Sequence, residues 1–306
     1  MLWIPIAVSA YFFLALVAIV DKKLLTNRVP EPISYAFYVG LLNIVTLILV
    51  PFGFTILDGP LLLFALTAGF SFVIAIYFLY TTLRHSEASR AIPLIGATTP
   101  LFILFFTTVL SKTHLTIYEF SAIGLFIAGG LFLSIQQNHA DPLFRITHDQ
   151  VNIKVVVPGI LAAFFFACSF FLTEEVFNHS TFISAFIWMR LGNVIAAIFI
   201  FTLPSARRVI LHTSRKLLPS SKTIFLANQV LGGTGNILLN IAIFLGPVAV
   251  INAMQGVEYF FIFLIALFLT AFYPRILRES ISPRALLGKL AGIFFIAAGF
   301  VLLFLQ

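Results

Sequence analysis

Ten runs of roughly twenty mostly apolar residues follow one another along the chain, at residues 2–20, 32–51, 61–83, 91–110, 116–135, 155–176, 181–203, 223–245, 248–272 and 285–305. The hydrocarbon layer of a bilayer is about 30 Å thick and an α-helix rises 1.5 Å per residue, so each run is long enough to cross it as a helix. The eighth and ninth runs are parted only by Gly246-Pro247. A helix does not pass easily through that proline, so two helices joined by a tight turn are expected. A soluble alternative fails on charge. The 306 residues are 61% hydrophobic and 9% charged, whereas a water-facing surface needs about a quarter of its residues charged. The expected fold class is therefore an all-α membrane protein with ten transmembrane helices. The first run lacks a basic leader and ends at Asp21-Lys22-Lys23, which reads as a retained span rather than a signal peptide.

A polar segment, residues 136–154, divides the runs into two sets of five. It carries His139, Asp141, Pro142, Arg145, His148 and Asp149. The sets resemble each other. The second run holds Tyr35-Ala36-Phe37 and then Asn43-Ile44, and the seventh holds Ser184-Ala185-Phe186 and then Asn193-Val194. The fifth carries Gly124, Gly129 and Gly130 within an Ile-Gly-Leu-Phe-Ile-Ala pattern that returns around Gly292 and Gly299 in the tenth. Two matches in the same order point to a duplication, with repeats at 1–135 and 155–306 and a linker at 136–154. An odd number of spans per unit turns the second copy upside down, so the two five-helix repeats are expected to be inverted.

Lysine and arginine set the orientation. The connections after the odd-numbered runs, with the short stretches flanking them, hold sixteen: Lys22, Lys23, Arg28, Arg84, Arg90, Arg145, Lys154, Arg207, Arg208, Arg215, Lys216, Lys222, Arg275, Arg278, Arg284 and Lys289. The other side holds Lys112 alone. That bias places the odd connections in the cytoplasm and both termini outside. The basic segment at 207–222 suits anionic headgroups, so the net charge of +7 speaks of membrane topology and not of nucleic acid.

Polar groups that persist in mid-membrane are costly and are expected to face an interior cavity. In the seventh run Arg190 and Asn193 lie three residues apart, on one helical face, with Trp188 beside them. Gln229, Asn236 and Asn240 form one stripe in the eighth run, and Asn252, Gln255, Glu258 and Tyr259 form another in the ninth. In the first half the stripe is aromatic and hydroxylic, with Tyr77, Tyr80, Thr81 and Arg84 in the third run and Thr98 and Thr99 in the fourth. These residues are expected to line a water-accessible cavity near the midplane that binds a small polar or amphipathic solute. Arg190 would meet an anionic group of the solute or pair with Glu258, and Glu258 is the candidate carrier of a coupling proton.

Other features read as structure. Gly232-Gly233-Thr234-Gly235 follows no strand and lacks the Gly-Lys-Ser/Thr ending of a phosphate loop. The six histidines, at 85, 114, 139, 148, 179 and 212, lie in or beside connections, and Cys168 is the single cysteine. No metal and no cofactor are expected. Glu174-Glu175 reads as an interfacial anchor or a gating contact, and Gly124 and Gly129 as close helix-packing positions.

Glu87-Ala88-Ser89-Arg90-Ala91, followed by Pro100 and then Gly124, Gly129 and Gly130, resembles the EamA-type carriers of the drug/metabolite transporter superfamily. In that family an Ala-Ser turn joins spans three and four, a proline sits within span four, and glycines line span five. The resemblance implies ten spans in two five-span repeats and covers essentially the whole chain. Three departures stand out: Ser111-Lys112-Thr113-His114 replaces a family-typical Glu-Arg pair, the second copy has Glu258 and Tyr259 near the proline position, and common members keep both termini in the cytoplasm. The expected function is a secondary carrier in the cell membrane that moves a small metabolite, such as an amino acid or related solute, by alternating access. The chain is expected to be no enzyme and to work as a monomer or homodimer. The alternatives are a flippase or transporter of a lipid-linked or amphipathic substrate within the same fold and, further off, a membrane-embedded transferase or a channel.

Overall fold

A computed structural model describes residues 2–28, 31–85, 88–110, 116–134, 153–216, 219–272 and 283–304. Residues 111–114, most of the linker (136–152), Glu87 and several counted basic residues (Arg145, Arg275 and Arg278 among them) lie outside the described residues. All regular structure among the described residues is helical, as lipid requires of backbone groups that have no water to bond.

The helices are α1 (Trp3–Arg28), α2 (Pro32–Leu42), a 3-10 stretch (Asn43–Phe52), α3 (Gly59–His85), α4 (Ala88–Val109), α5 (Ile117–Ser134), α6 (Ile153–Asn178), α7 (Phe182–Thr202), α8 (Pro204–Lys216), α9 (Pro219–Leu245), α10 (Val248–Ala253), α11 (Gly256–Phe272) and α12 (Pro283–Phe304). Seven helices or helix pairs are long and apolar enough to cross a membrane. Three shorter apolar stretches, Leu94–Val109, Ile117–Gly129 and Leu290–Leu303, lie in the places of the remaining runs.

Two of the expected spans are not single helices. The second begins as an α-helix with Pro32 in its first turn, then tightens into the 3-10 stretch, where the Asn43 side chain donates to the Val39 carbonyl and the Thr46 hydroxyl to the Asn43 carbonyl. Pro51 has no N–H to give to a helix, and Gly53, at φ 108°, turns the chain out in a conformation that favours glycine. The ninth span, expected to run unbroken over 248–272, is divided at Met254-Gln255. There the Gln255, Val257 and Glu258 amides reach back three residues, to Asn252, Met254 and Gln255, instead of four. The expected break at Gly246-Pro247 is present, with α10 starting directly after Pro247.

The outer surface is apolar, unlike that of a soluble protein, while polar and small residues join the hydrophobic core inside. Helix α7 buries Ser184, Arg190, Gly192 and Asn193 and turns Ile195, Ile198 and Phe199 outward. Val230 and Ile48 are among the most exposed residues, at 73% and 72%. Apolar side chains outside and small or polar ones inside are the pattern of a protein dissolved in lipid. Helix α8 is amphipathic and rests Ala206 and Ile210 against the bundle, leaving Arg207 and Arg208 exposed; Arg207 stacks over Phe201 at 5.5 Å.

Several of the main packing partners come in matched sets, although the α3–α7 crossing has no α2–α9 counterpart of like extent among the described residues. Helix α3 packs on α6 as α1 packs on α9, and α4 packs on α6 as α1 packs on α11. Helix α2 faces α7, and α5 faces α12. Glycines make the tightest crossings possible. A methyl group on Gly69 of α3 would run into the Met189 carbonyl of α7, and one on Gly192 of α7 into the Leu66 carbonyl of α3. Gly129 does the same between α5 and α12, where a Cβ would come within 2.9 Å of the Gly292 carbonyl oxygen. Gly124, read from sequence as a close-packing position, has open space beside it.

Candidate functional site

The close crossing of α3 and α7 fixes the site. It leaves Arg190 on the inner face of α7, eight residues from the start of a 21-residue helix and so near mid-depth. Arg190 is 8% exposed. Its guanidinium lies over the Phe186 ring, 4.5 Å from the centroid, with the Phe72 ring of α3 at 6.0 Å. The two rings attract the cation through their faces but take none of its N–H groups. Among the described residues the side-chain ion pairs are Arg84 with Glu31 and His179 with Glu175, so no carboxylate neutralises Arg190.

One turn on, Asn193 is 1% exposed, and its Nδ2 has no hydrogen-bond partner. Arg190 and Asn193 open onto a cleft floored by Ala68, Gly69 and Phe72 of α3 and walled by Ser169, Phe170 and Thr173 of α6. Asn236 and Asn240 of α9 form the facing wall. Both asparagines give one side-chain N–H to their own helix, donating to the Gly232 carbonyl at 3.0 Å and the Asn236 carbonyl at 2.8 Å. Only the NH2 can donate to a carbonyl, so the amide oxygens are left as acceptors. One wall thus presents hydrogen-bond donors, and the other presents two carboxamides, each with its oxygen free to accept and one N–H still uncommitted. The enclosed part is about 20 Å³, room for a single water.

Aromatic clusters stand one to two turns from the cleft along the same helices. Towards one membrane face, Tyr80 stacks on Tyr35 at 3.8 Å, and Gln229 of α9 donates to the Tyr35 hydroxyl. Towards the other, Phe177, Phe182 and Phe244 pack ring against ring.

Of the residues singled out from sequence, Arg190, Asn193, Asn236 and Asn240 meet in this cleft. The stripe of the ninth span lies elsewhere. Asn252 donates to the Val248 carbonyl within α10. Gln255, Glu258 and Tyr259 gather where the break meets the first turn of α11; Gln255 hydrogen-bonds Glu258, and Tyr11 of α1, beside Glu258, donates its hydroxyl to the Ile251 carbonyl at 2.6 Å. Gly96 of α4 lets this cluster close, since a Cβ there would meet the Tyr259 hydroxyl and, at 2.9 Å, the Gln255 Oε1. The expected Arg190–Glu258 pair does not form. Trp188 does not line the cleft; its Nε1 donates to the Thr55 carbonyl at 3.1 Å and its ring tilts against Phe54. Tyr77 packs against the small cluster of Ala36, Val73 and Ala196. Thr81, Thr98 and Thr99 donate to carbonyls one turn back on their own helices. Arg84 pairs with Glu31 near the surface.

Seven lining residues were not read from the sequence, and four of them bear on the site. Ser169 and Thr173, at i and i+4, carried the same spacing signal as the asparagines, whereas Gly69 and Phe72 carried none, because a glycine and a phenylalanine in an apolar run are indistinguishable from lipid-facing ones. Glu174 does more than anchor a helix end: its Oε1 accepts the Val248 N–H at 2.9 Å and ties α6 to the start of α10. Among the described residues no three His, Cys, Asp or Glu side chains gather as a metal site would need.

Residues 1–135 match the model of the EamA-like transporter family, as the Ala-Ser turn, Pro100 and the glycines of α5 lead one to expect. No curated protein matches the chain. A solved crystal structure of another protein is similar over 99% of this chain and 96% of its own, with a TM-score of 0.65 and 17% identity, which shows a shared fold.

Proposed function

With the first 135 residues matching a family of membrane transporters, we propose that this chain is a secondary carrier for a small metabolite, bound in the cleft between α3, α6, α7 and α9. The observation that carries the reading is Arg190: a buried cation at mid-depth with no acid beside it, next to the unpartnered Asn193 amide and across the cleft from Asn236 and Asn240. A structural arginine in lipid is paired, because an unpaired one is among the costliest groups to keep there. A site that leaves one unpaired reserves it for a partner that comes and goes.

The same reading takes the protein as ten crossings in two inverted repeats, 1–135 and 155–306, joined by the linker 136–154. The matched packing of α3 on α6 with α1 on α9, and of α4 on α6 with α1 on α11, supports an exchange of the two halves, and α2–α7 and α5–α12 are the pairs such an exchange maps onto themselves. Alternating access then separates the aromatic cluster at Tyr35–Tyr80 in one state and that at Phe177–Phe244 in the other. The cleft holds about one water when both are closed, so the solute enters only as α9 moves away from α7. Glu258, held by Gln255 beside Tyr11, is the candidate for a coupling proton. The charge bias of the connections places the termini outside, in the cell membrane, with the protein working as a monomer or a homodimer.

Counterflow in proteoliposomes of the purified protein tests this. A panel of amino acids, hydroxy acids, nucleosides, sugars and amphipathic cations is expected to contain solutes that exchange, and Arg190→Gln to abolish the exchange. Glu258→Gln is expected to retain counterflow while losing uptake driven by a pH gradient. A panel with no exchange at all, or full exchange in Arg190→Gln, refutes the carrier site.

A further inference from the structure

Four observations about the cleft specify the charge of what it holds. Arg190 is 92% removed from solvent, counting from its 8% exposure, and meets no carboxylate. Asn193, three residues on, aims a buried donor at no acceptor. Asn236 and Asn240, opposite, offer amide oxygens as acceptors, each NH2 giving one hydrogen to its own helix. None of the lining side chains is acidic.

From these we infer that the cleft binds a small organic monoanion: a monocarboxylate that also carries a neutral hydrogen-bond donor, as a short hydroxy acid does. This rests on the carrier reading for the site's location and goes beyond it in naming the class. The guanidinium and the Asn193 amide bring N–H donors to one wall, and a guanidinium takes a carboxylate in a planar, two-point contact. The hydroxyl of the same molecule donates to Asn236 or Asn240 across the cleft. Phe72 and Phe170 leave an apolar wall for the short carbon chain.

The charge balance separates this class from its neighbours. A monoanion and Arg190 together are neutral, and a neutral complex is the least costly to enclose away from water. A zwitterionic amino acid would leave a net positive charge in the cleft, with no acidic side chain for its ammonium. A dianion would leave a net negative one, with a single cation to answer it.

The test uses the purified full-length protein, radiolabelled lactate as probe, and three competitors that each change one group: alanine, lactamide and propionate. Lactate is expected to bind. Propionate, lacking the hydroxyl, is expected to compete several-fold more weakly, and alanine and lactamide at least about thirty-fold more weakly, the penalty for leaving a buried charge without its partner. Arg190→Gln is expected to lose lactate binding. Asn193→Asp provides a second arm that does not depend on losing a cation: it puts a carboxylate three residues from Arg190, so the protein is expected to unfold at the same or a higher temperature and yet bind no lactate. Competition by alanine or lactamide as strong as by lactate, an absence of lactate binding, or undiminished binding in Asn193→Asp overturns the inference. Flux separates it from the carrier reading. Specific lactate binding without lactate counterflow in proteoliposomes would sink the carrier and keep the anion site, whereas counterflow of neutral solutes with no preference for lactate would do the reverse.

Discussion

Changing one glycine to alanine at two places in this bundle should have opposite consequences. At Gly69 the added methyl would strike the Met189 carbonyl and lie 2.7 Å from the Asn193 nitrogen and 2.9 Å from its Oδ1. Ordinary contact begins at about 3.4 Å, so 3.4 against 2.7 leaves at least 0.7 Å to be found. The obstacle is backbone on both sides, and no side-chain rotation relieves it. Helix α3 must therefore part from α7 along the crossing that also seats Gly192 against Leu66. Overpacking of this kind costs about 1–3 kcal/mol, and here the strain falls on the residue that carries the unsatisfied donor of the cleft. Gly69→Ala is thus expected to lower the unfolding temperature in detergent by several degrees and to weaken solute binding about ten-fold or more, each tenfold being about 1.4 kcal/mol. Gly124→Ala is the control. Nothing lies within 4 Å of its added methyl, and the better helix propensity of alanine should leave stability equal or higher by up to about 1 kcal/mol. Thermal unfolding followed by tryptophan fluorescence, with binding measured on the same preparations, decides the matter. Equal melting and equal binding for Gly69→Ala and the parent would refute the claim that this crossing sets the cleft.

Three further outcomes follow from the contacts around the cleft. Ser184 accepts from the Thr55 N–H and the Thr181 hydroxyl, each at 2.9 Å, and shares a third bond with the Thr55 hydroxyl; Ser184→Ala should cost about 1–3 kcal/mol by leaving buried partners unmet, read as a drop in unfolding temperature. Glu174→Gln should lower stability by about 1 kcal/mol, because a neutral amide oxygen accepts the Val248 N–H less strongly than a carboxylate does, and Glu174→Leu should cost more by leaving that N–H without a partner. Arg84→Gln should change stability by no more than about 1 kcal/mol, and raising salt should shrink even that, since the side chains of the Arg84–Glu31 pair are 54% and 44% exposed; a loss of several kcal/mol there would contradict the surface character of the pair.

The sequence by itself determined the solvent and the building blocks. Runs of apolar residues set by bilayer thickness, Gly246-Pro247 as a helix break, and the polar character of Arg190, Asn193, Asn236 and Asn240 were all legible, because each follows from short-range chemistry: hydropathy, the missing proline N–H, and the cost of a polar group in lipid. Which polar stripes share a cavity was decided only by tertiary structure. Spacing alone made Glu258 as good a neighbour for Arg190 as Asn236, yet the break at Met254-Gln255 leaves Glu258 beside Tyr11 and Gln255, and the close approach of Gly69 to α7 leaves Arg190 in the cleft that Asn236 and Asn240 of α9 line. Trp188 was misjudged for the same reason: its partner, Thr55, belongs to a connection whose course depends on the positive φ of Gly53. A single glycine in an apolar run has no signature until another helix arrives against it, and in this protein it is those arrivals that leave Arg190 without an acid.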